Sequence, residues 1–331
     1  MIPVYVVILE GVMLLDLSGI AEPLRLANEW AVSQRRPRPF DLRFVGPEPS
    51  ARSSLGVAVA GVEPLPEALP PSSWLVVPGT GRSRRDYQTE TARKLVRWLA
   101  QVGEQAERRL TVCSGALLAG RAGWLAGREC TSHHELIDAL REAAPGAKVL
   151  GNRIFVVDGG VATSAGITAG IDLALWAIGE VLGPAGALAV AREMVVFARR
   201  AGADPQLSAW LANRNHVHPA VHRIQDAIAH APAEDWPLPR MAKVAHVGAR
   251  HLTRLFAEHA GVTPLIYLQR IRLDVARALL DGSESSVDTV AAASGFSSAH
   301  QLRRAWRREL GGTPRRSVTP SAPGSRARMR P

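Results

Sequence analysis

The feature that most restricts this chain is a diverged repeat near its C-terminus. Met241-Ala-Lys-Val-Ala-His-Val-Gly-Ala-Arg-His-Leu-Thr-Arg-Leu-Phe256, closed by Gly261-Val-Thr-Pro264, is matched by Val290-Ala-Ala-Ala-Ser-Gly-Phe-Ser-Ser-Ala-His-Gln-Leu-Arg-Arg-Ala-Trp306, closed by Gly311-Gly-Thr-Pro314. From Leu252 and Leu302 onward the copies run 50 residues apart, so Phe256 faces Trp306. Ahead of the second helix the offset is 49, which gives one copy an extra turn residue. Each copy reads as a short apolar helix, a tight turn, and a helix whose Leu and aromatic at i and i+4 mark the buried face. That is the pattern of a helix-turn-helix, whose second helix is free to enter a major groove.

Charge follows the repeat. Residues 220–331 hold 17 Lys and Arg against 9 Asp and Glu, whereas residues 1–219 hold 23 against 21. A basic segment attached to a near-neutral one places a polyanion against the C-terminal part alone. The 331 residues are 47% hydrophobic, which suits two globular domains. There is no run of about 18 uncharged apolar residues and no basic leader ahead of the first apolar strand, so neither export nor membrane insertion is expected. Cys113 and Cys130 form no disulfide framework and no standard zinc spacing, which points to a reducing cytoplasm.

Short apolar runs at Val4–Leu9, Phe40–Val45, Trp74–Val77, Leu110–Cys113 and Ile154–Val157 alternate with helical patterns near Glu22–Val32, Glu90–Val102, Gly115–Ala122, His134–Ala143 and Thr168–Leu182. This alternation predicts an α/β layered domain over residues 1–185, with strands buried on both faces. Gly183-Pro-Ala-Gly186 interrupts the pattern, and Ala187–Arg200 resumes as a last helix. Residues 186–218 read as helix and linker, 219–317 as an all-α domain, and 318–331 as a disordered basic tail. A long helix over Thr263–Leu280, with Leu268, Ile271, Val275 and Leu279 at helical spacing, joins the two repeat copies as their core spine.

Two helix-turn-helix units joined by one long helix, with Gly295-Phe-Ser-Ser in the second and Thr-Pro closing both, resemble the AraC/XylS family of bacterial transcription regulators. The resemblance implies double-stranded promoter DNA as a partner, with two recognition helices in successive major grooves. On the first helix, Ala249, Arg250, His251 and Arg254 are expected off the core face. Ser298, Ala299, His300, Gln301 and Arg304 are their counterparts on the second. Arg pairs guanine and Gln pairs adenine, so Arg250, His251, Arg254, Ser298, His300, Gln301 and Arg304 are the base-reading candidates. Arg303, Arg307, Arg308, Arg315 and Arg316 are assigned to phosphate. His246 stands where the second copy has Gly295, a costly substitution if that turn needs a left-handed backbone. The bland alternative is a structural helical bundle with a solvated arginine face, which the duplication argues against.

Leu110-Thr-Val-Cys113-Ser-Gly-Ala-Leu-Leu-Ala-Gly120 reads as a strand, a cysteine and a small-residue turn into a helix, the layout of a nucleophile elbow. With Gly11-Val-Met-Leu-Leu-Asp16-Leu-Ser-Gly19, Val77-Pro-Gly-Thr-Gly81, Thr131-Ser-His133 and Ala162-Thr-Ser-Ala-Gly166, it resembles the DJ-1/PfpI superfamily of flavodoxin-like, glutamine amidotransferase-type domains. The resemblance implies a pocket built from Asp16, Gly79, Cys113 and Ser114, and dimerisation through this domain. Isonitrile hydratases have the most similar arrangement, whereas peptidase-like members place His where Ser114 stands. Cys113 can equally be a small packed core residue. Asp16 is expected both to cap a helix starting near Ser18 and to face the pocket. His133 and His134, adjacent on an extended segment, should point opposite ways, and no metal is assigned.

The leading reading is therefore a cytoplasmic, homodimeric regulator that senses a small-molecule effector, without a cofactor, and controls a catabolic operon as an activator. RNA polymerase would be a further partner. The alternative is a DJ-1-type hydratase that uses Cys113 and binds DNA secondarily.

Overall fold

The computed structural model describes residues 1–81, 87–196, 200–204, 206, 213, 216, 218–282, 285–310 and 312–314. The chain divides into two compact units, Met1–Gln206 and Leu207–Pro331.

The first unit is built on a seven-stranded sheet. Its strands are β1 (Ile2–Val7), β2 (Phe40–Gly46), β5 (Glu63–Pro64), β6 (Trp74–Val77), β7 (Arg108–Val112), β10 (Phe155–Asp158) and β11 (Val161–Ser164). They lie in the order β10-β11-β7-β6-β1-β2-β5, all parallel except the β10–β11 hairpin at one edge. Two pairs of short strands lie outside this sheet: β3 (Ser50–Arg52) with β4 (Ala58–Ala60), and β8 (Glu129–Cys130) with β9 (Lys148–Val149). Continuous apolar runs make this sheet because both of its faces are covered. Val4, Val6, Trp74, Val76 and Leu110 face one layer, formed by α1 (Leu14–Ser33) and α5 (Thr168–Glu193). Tyr5, Val7, Leu75 and Val77 face the other, formed by α2 (Glu90–Val102), α3 (Gly115–Arg121) and α4 (Ile137–Ala143).

Several element ends differ from the sequence reading. The first helix begins at Leu14 rather than Glu22, because Gly19 and Pro23 are absorbed inside it. The strand read as Leu110–Cys113 ends at Val112, and Cys113 turns to φ 53°. The helix read as resuming after the Gly183-Pro-Ala-Gly186 break is set off by that break, but it ends short of Arg200. α5 passes Gly183, kinked there at φ 74° and ψ 176°, and stops at Glu193. By length and composition α5 could cross a membrane, but the kink and its packing on α1 and the sheet make it a core helix.

The second unit is helical: α6 (Pro219–His230), α7 (Leu238–Ala245), α8 (Ala249–Ala260), α9 (Pro264–Gly282), α10 (Val287–Ala293) and α11 (Ala299–Glu309). It has two cores in series. Val221, Ile224, Met241, Leu252, Phe256, Tyr267 and Ile271 form one; Leu273, Ala276, Leu280, Val290, Leu302 and Trp306 form the other. α9 serves both, so its buried positions shift along the helix. Leu268 and Ile271 are buried as expected, whereas Val275 is only half-buried and Leu273 and Ala276 carry the second core.

Each repeat turns through a left-handed residue: His246 at φ 57° and ψ 39° in the first copy, Gly295 at φ 84° in the second. His246 holds this conformation although it has a Cβ that glycine lacks, at a cost of about 1 kcal/mol. His246→Gly is therefore expected to raise the stability of the helical unit by about 1 kcal/mol in urea denaturation, less whatever the freer unfolded chain gives back.

Imidazoles gather beside α6 and α8. The His218 and His259 rings stack at 4.6 Å, the His216 and His222 rings lie 4.5 Å apart, and the His222 ring N–H reaches the His216 carbonyl at 2.6 Å. Burial, then the neighbouring His222 and His259, lowers the His216 pKa. The unfolded chain thus protonates first, so the His216 contribution is complete above the ordinary value of about 6.5 and is lost as pH falls below it. The melting temperature of the helical unit should fall between pH 7 and pH 5, and His216→Gln should flatten that slope.

Candidate functional site

The elbow is assembled where β6, β7 and β11 end. β7 delivers Cys113, which turns to φ 53° so that α3 can start at Gly115. A left-handed cysteine is tolerated here because the surroundings fix it: its N–H bonds Ser164 O at 3.1 Å, and its carbonyl accepts from Ser132 Oγ at 2.8 Å. Two glycines allow the close approach. A Cβ on Gly166, itself at φ 87°, would sit 2.2 Å from the Cys113 Cβ. One on Gly79 would sit 2.5 Å from Asp16 Oδ2 and 2.9 Å from Ser114 Oγ.

The structure thus brings Asp16, Gly79, Cys113 and Ser114 together, all buried, with Asp16, Cys113 and Ser114 at 0% exposure. Asp16 is not a helix cap. Met13 holds the N-cap position of α1, and Asp16 lies in the first turn, where its Oδ1 accepts the Ile167 N–H at 2.7 Å across 151 residues of sequence. Ile167 pays for that bond with φ 53° and ψ −121°, a region that a β-branched residue enters only at about 1–3 kcal/mol.

Residues outside the sequence reading complete the site. Ser114 Oγ accepts from the Thr80 N–H at 2.9 Å, and the Tyr87 hydroxyl sits between Thr80 Oγ1 at 3.0 Å and Ser114 Oγ at 2.9 Å. Arg121 lies over the Tyr87 ring, 5.8 Å from its centroid. A surface cavity of about 290 Å³ between α1 and α5, lined by Leu26, Trp30 and Val190, is elsewhere. Cys130, at the end of β8, is buried among apolar groups, and burial pushes its thiol up to about 11.

His133 and His134 do not diverge as an extended segment would require. His133 caps a short 3-10 turn, its Nδ1 accepting the Glu135 N–H at 3.3 Å, and the two rings face each other at 4.3 Å. Among the described residues, no group of three or more His, Cys, Asp and Glu is placed to hold a metal.

In the helical unit, Arg250, His251 and Arg254 on α8 and His300, Arg303, Arg304 and Arg307 on α11 are exposed. Ala299 is buried and Ala249 is half-buried against the first core, so neither is the exposed residue that the sequence reading expects; each is the first residue of its helix. Ser298 and Gln301 already have local work. Ser298 caps α11 by accepting the Gln301 N–H at 3.2 Å, while Gln301 Oε1 accepts from Ser297 N–H at 2.8 Å. Arg308 bonds Gln269 and Glu309. Arg315 and Arg316 lie outside the described residues.

Comparison with known proteins gives the same division. Residues 4–180 match the DJ-1/PfpI family, and residues 241–318 match a helix-turn-helix domain family. The chain is 33% identical over 304 residues to the HTH-type transcriptional regulator GlxA of Rhizobium meliloti, covering 91% of this chain and 90% of that protein. It is 30% identical over 323 residues to the HTH-type transcriptional regulator CdhR of Pseudomonas aeruginosa, covering 93% and 88%. A crystal structure of a ThiJ/PfpI family protein from Pseudomonas syringae superposes with a TM-score of 0.51 at 22% identity, over 73% of this chain and 90% of that one, a likeness of fold. The chain belongs to the AraC-type transcriptional regulators that carry an N-terminal DJ-1/PfpI domain. Its role is regulation of transcription.

Enclosure of both thiols has a direct test. In the folded protein at pH 8, iodoacetamide should label Cys113 and Cys130 at least about a hundredfold more slowly than in urea, since access requires local opening. Fast labelling of Cys113 in the native state would reopen the nucleophile reading.

Proposed function

We propose that the helical unit reads a promoter with two recognition helices, α8 and α11, set into successive major grooves, and that the elbow of the α/β unit senses a small metabolite. The observation that carries the first half is α9. Its 19 residues span about 28 Å, close to the ~34 Å turn of DNA, and it packs at one end into the core of α8 and at the other into the core of α11. One rigid rod therefore suits two readers a helical turn apart. Arg250, His251, Arg254, His300 and Arg304 are the base-reading set. Ser298 and Gln301 join it only by exchanging their capping bonds for base edges. Arg303, Arg307, Arg308, Arg315 and Arg316 serve the phosphates.

For the sensor, the buried Asp16 carboxylate and Ser114 hydroxyl beside Cys113, with the Thr80 and Tyr87 hydroxyls next to them, supply the convergent polar anchors of a small-ligand pocket. With Gly79 in contact with Asp16 and Ser114, an effector displaces the Tyr87 hydroxyl from Ser114 on entering. Control of a catabolic operon from the cytoplasm, and dimerisation through the α/β unit, follow the resemblance to this class of regulators.

A gel shift tests the docking. Arg254→Ala with Arg304→Ala should weaken specific promoter binding by about a hundredfold at physiological salt, the loss of two bidentate base contacts. Arg303→Ala with Arg307→Ala should instead weaken all sequences alike and flatten the dependence on salt. Specific binding unchanged by the first pair would sink the docking.

A further inference from the structure

Residues 200–204 and 206, the last described residues of the α/β unit, are not a plain tether. They run beside β10, with the Ile154 N–H bonding Asp204 O at 3.0 Å and the Phe155 N–H bonding Gly202 O at 3.3 Å. Two side chains then fasten them to the walls of the elbow. Arg200 grips the start of α5: its Nε reaches Asp172 Oδ2 at 2.8 Å, its Nη2 reaches Thr168 Oγ1 at 2.9 Å, and its own N–H bonds Asp172 Oδ1 at 2.9 Å. Gln206 Nε2 bonds Ser132 O at 2.8 Å, and Ser132 Oγ bonds the carbonyl of Cys113 itself.

The stretch Gly166-Ile167-Thr168 therefore touches three things in three consecutive residues. Gly166 abuts Cys113, the Ile167 N–H is held by Asp16, and Thr168 holds Arg200. Ile167 is the strained member, and the Asp16 carboxylate is the acceptor that its N–H reaches in that conformation. A group that takes over Asp16 removes the reason for the strain.

We propose that residues 200–204 and 206 are the output arm of the sensor. An effector with an N–H or O–H donor competes for Asp16, lets Ile167 relax, and so alters the grip of Thr168 and Asp172 on Arg200. Arg200 and Gln206 are positioning residues in this scheme, since neither touches the effector. The inference rests on the reading of the elbow as an effector site, but its mechanical link is testable without the effector. Backbone strain is what makes the arm two-state: Ile167 is either held or released.

The test is hydrogen–deuterium exchange on the full chain, with the Asp16→Ala substitution as the probe. Loss of the charged acceptor should speed exchange of amides 167–172 and, through Arg200, of amides 201–204 and 206, by about tenfold in both. Asp16→Asn, which keeps an acceptor oxygen, should return both towards wild type. Should Asp16→Ala fail to fold, Thr168→Val removes the Arg200 acceptor at nearly constant volume and should loosen 201–204 and 206 alone. Faster exchange at 167–172 with 201–204 and 206 unchanged overturns the proposal, as does a folded Asp16→Ala protein unchanged at both. A coupled arm in a protein that no metabolite stabilises would instead retire the effector reading and leave the link standing.

Discussion

The α/β unit depends on one hydrogen bond between its ends. Asp16 lies in the first turn of the first helix and Ile167 caps the last, and the 2.7 Å bond between them ties these two helices of one layer together at the end of the sheet where Cys113 emerges. A carboxylate with no exposure cannot be left without donors, because the lost solvation outweighs any packing gain. The chain satisfies it with a backbone N–H, at the cost of an isoleucine in left-handed backbone space. Gly79 and Gly166 both press against the elbow, so this corner is closely fitted.

Much of this was legible in the residues because the relevant signals are local. Unbroken apolar runs give buried parallel strands, and Trp74–Val77 and Glu90–Val102 appear with the ends that periodicity assigns. The repeat offset placed His246 opposite Gly295, and both are left-handed. What stayed hidden depends on tertiary contacts. Asp16 has the chemistry of a cap and sits after apolar residues that look like loop, but packing on α5 draws the helix start back to Leu14. Ala299 reads as a surface residue on a recognition helix, but packing buries it. β11, a four-residue run of Val, Ala, Thr and Ser, carries too little hydrophobicity to announce a central strand. Residues 200–204 and 206 look like linker because the bonds that fix them come from Asp172, Asn152 and Ser132, far away in sequence.

In the helical unit, residues chosen for DNA also build the reader. Ser298 starts α11 and Gln301 closes the turn before it, so the second recognition helix is preorganised by side chains of the types that recognise bases. The first has no such cap: Gly248 stands at the N-cap position of α8 without a side-chain bond. The arginines carry the difference in role. Arg308 is held by Gln269 and Glu309, whereas Arg250, Arg254 and Arg304 are exposed without a bonded partner among the described residues and are free to be ordered by a ligand.

α9 has a consequence of its own. Because one continuous helix carries both cores, its residue count is a ruler as well as a scaffold. Each residue added to it would advance the second reader by about 1.5 Å and swing it about 100° around the axis. Length and phase change together, so the chain cannot track a drifting operator by small insertions there. On the docking proposed above, this helix fixes the spacing between the two half-sites, and only complementary changes in protein and DNA alter it.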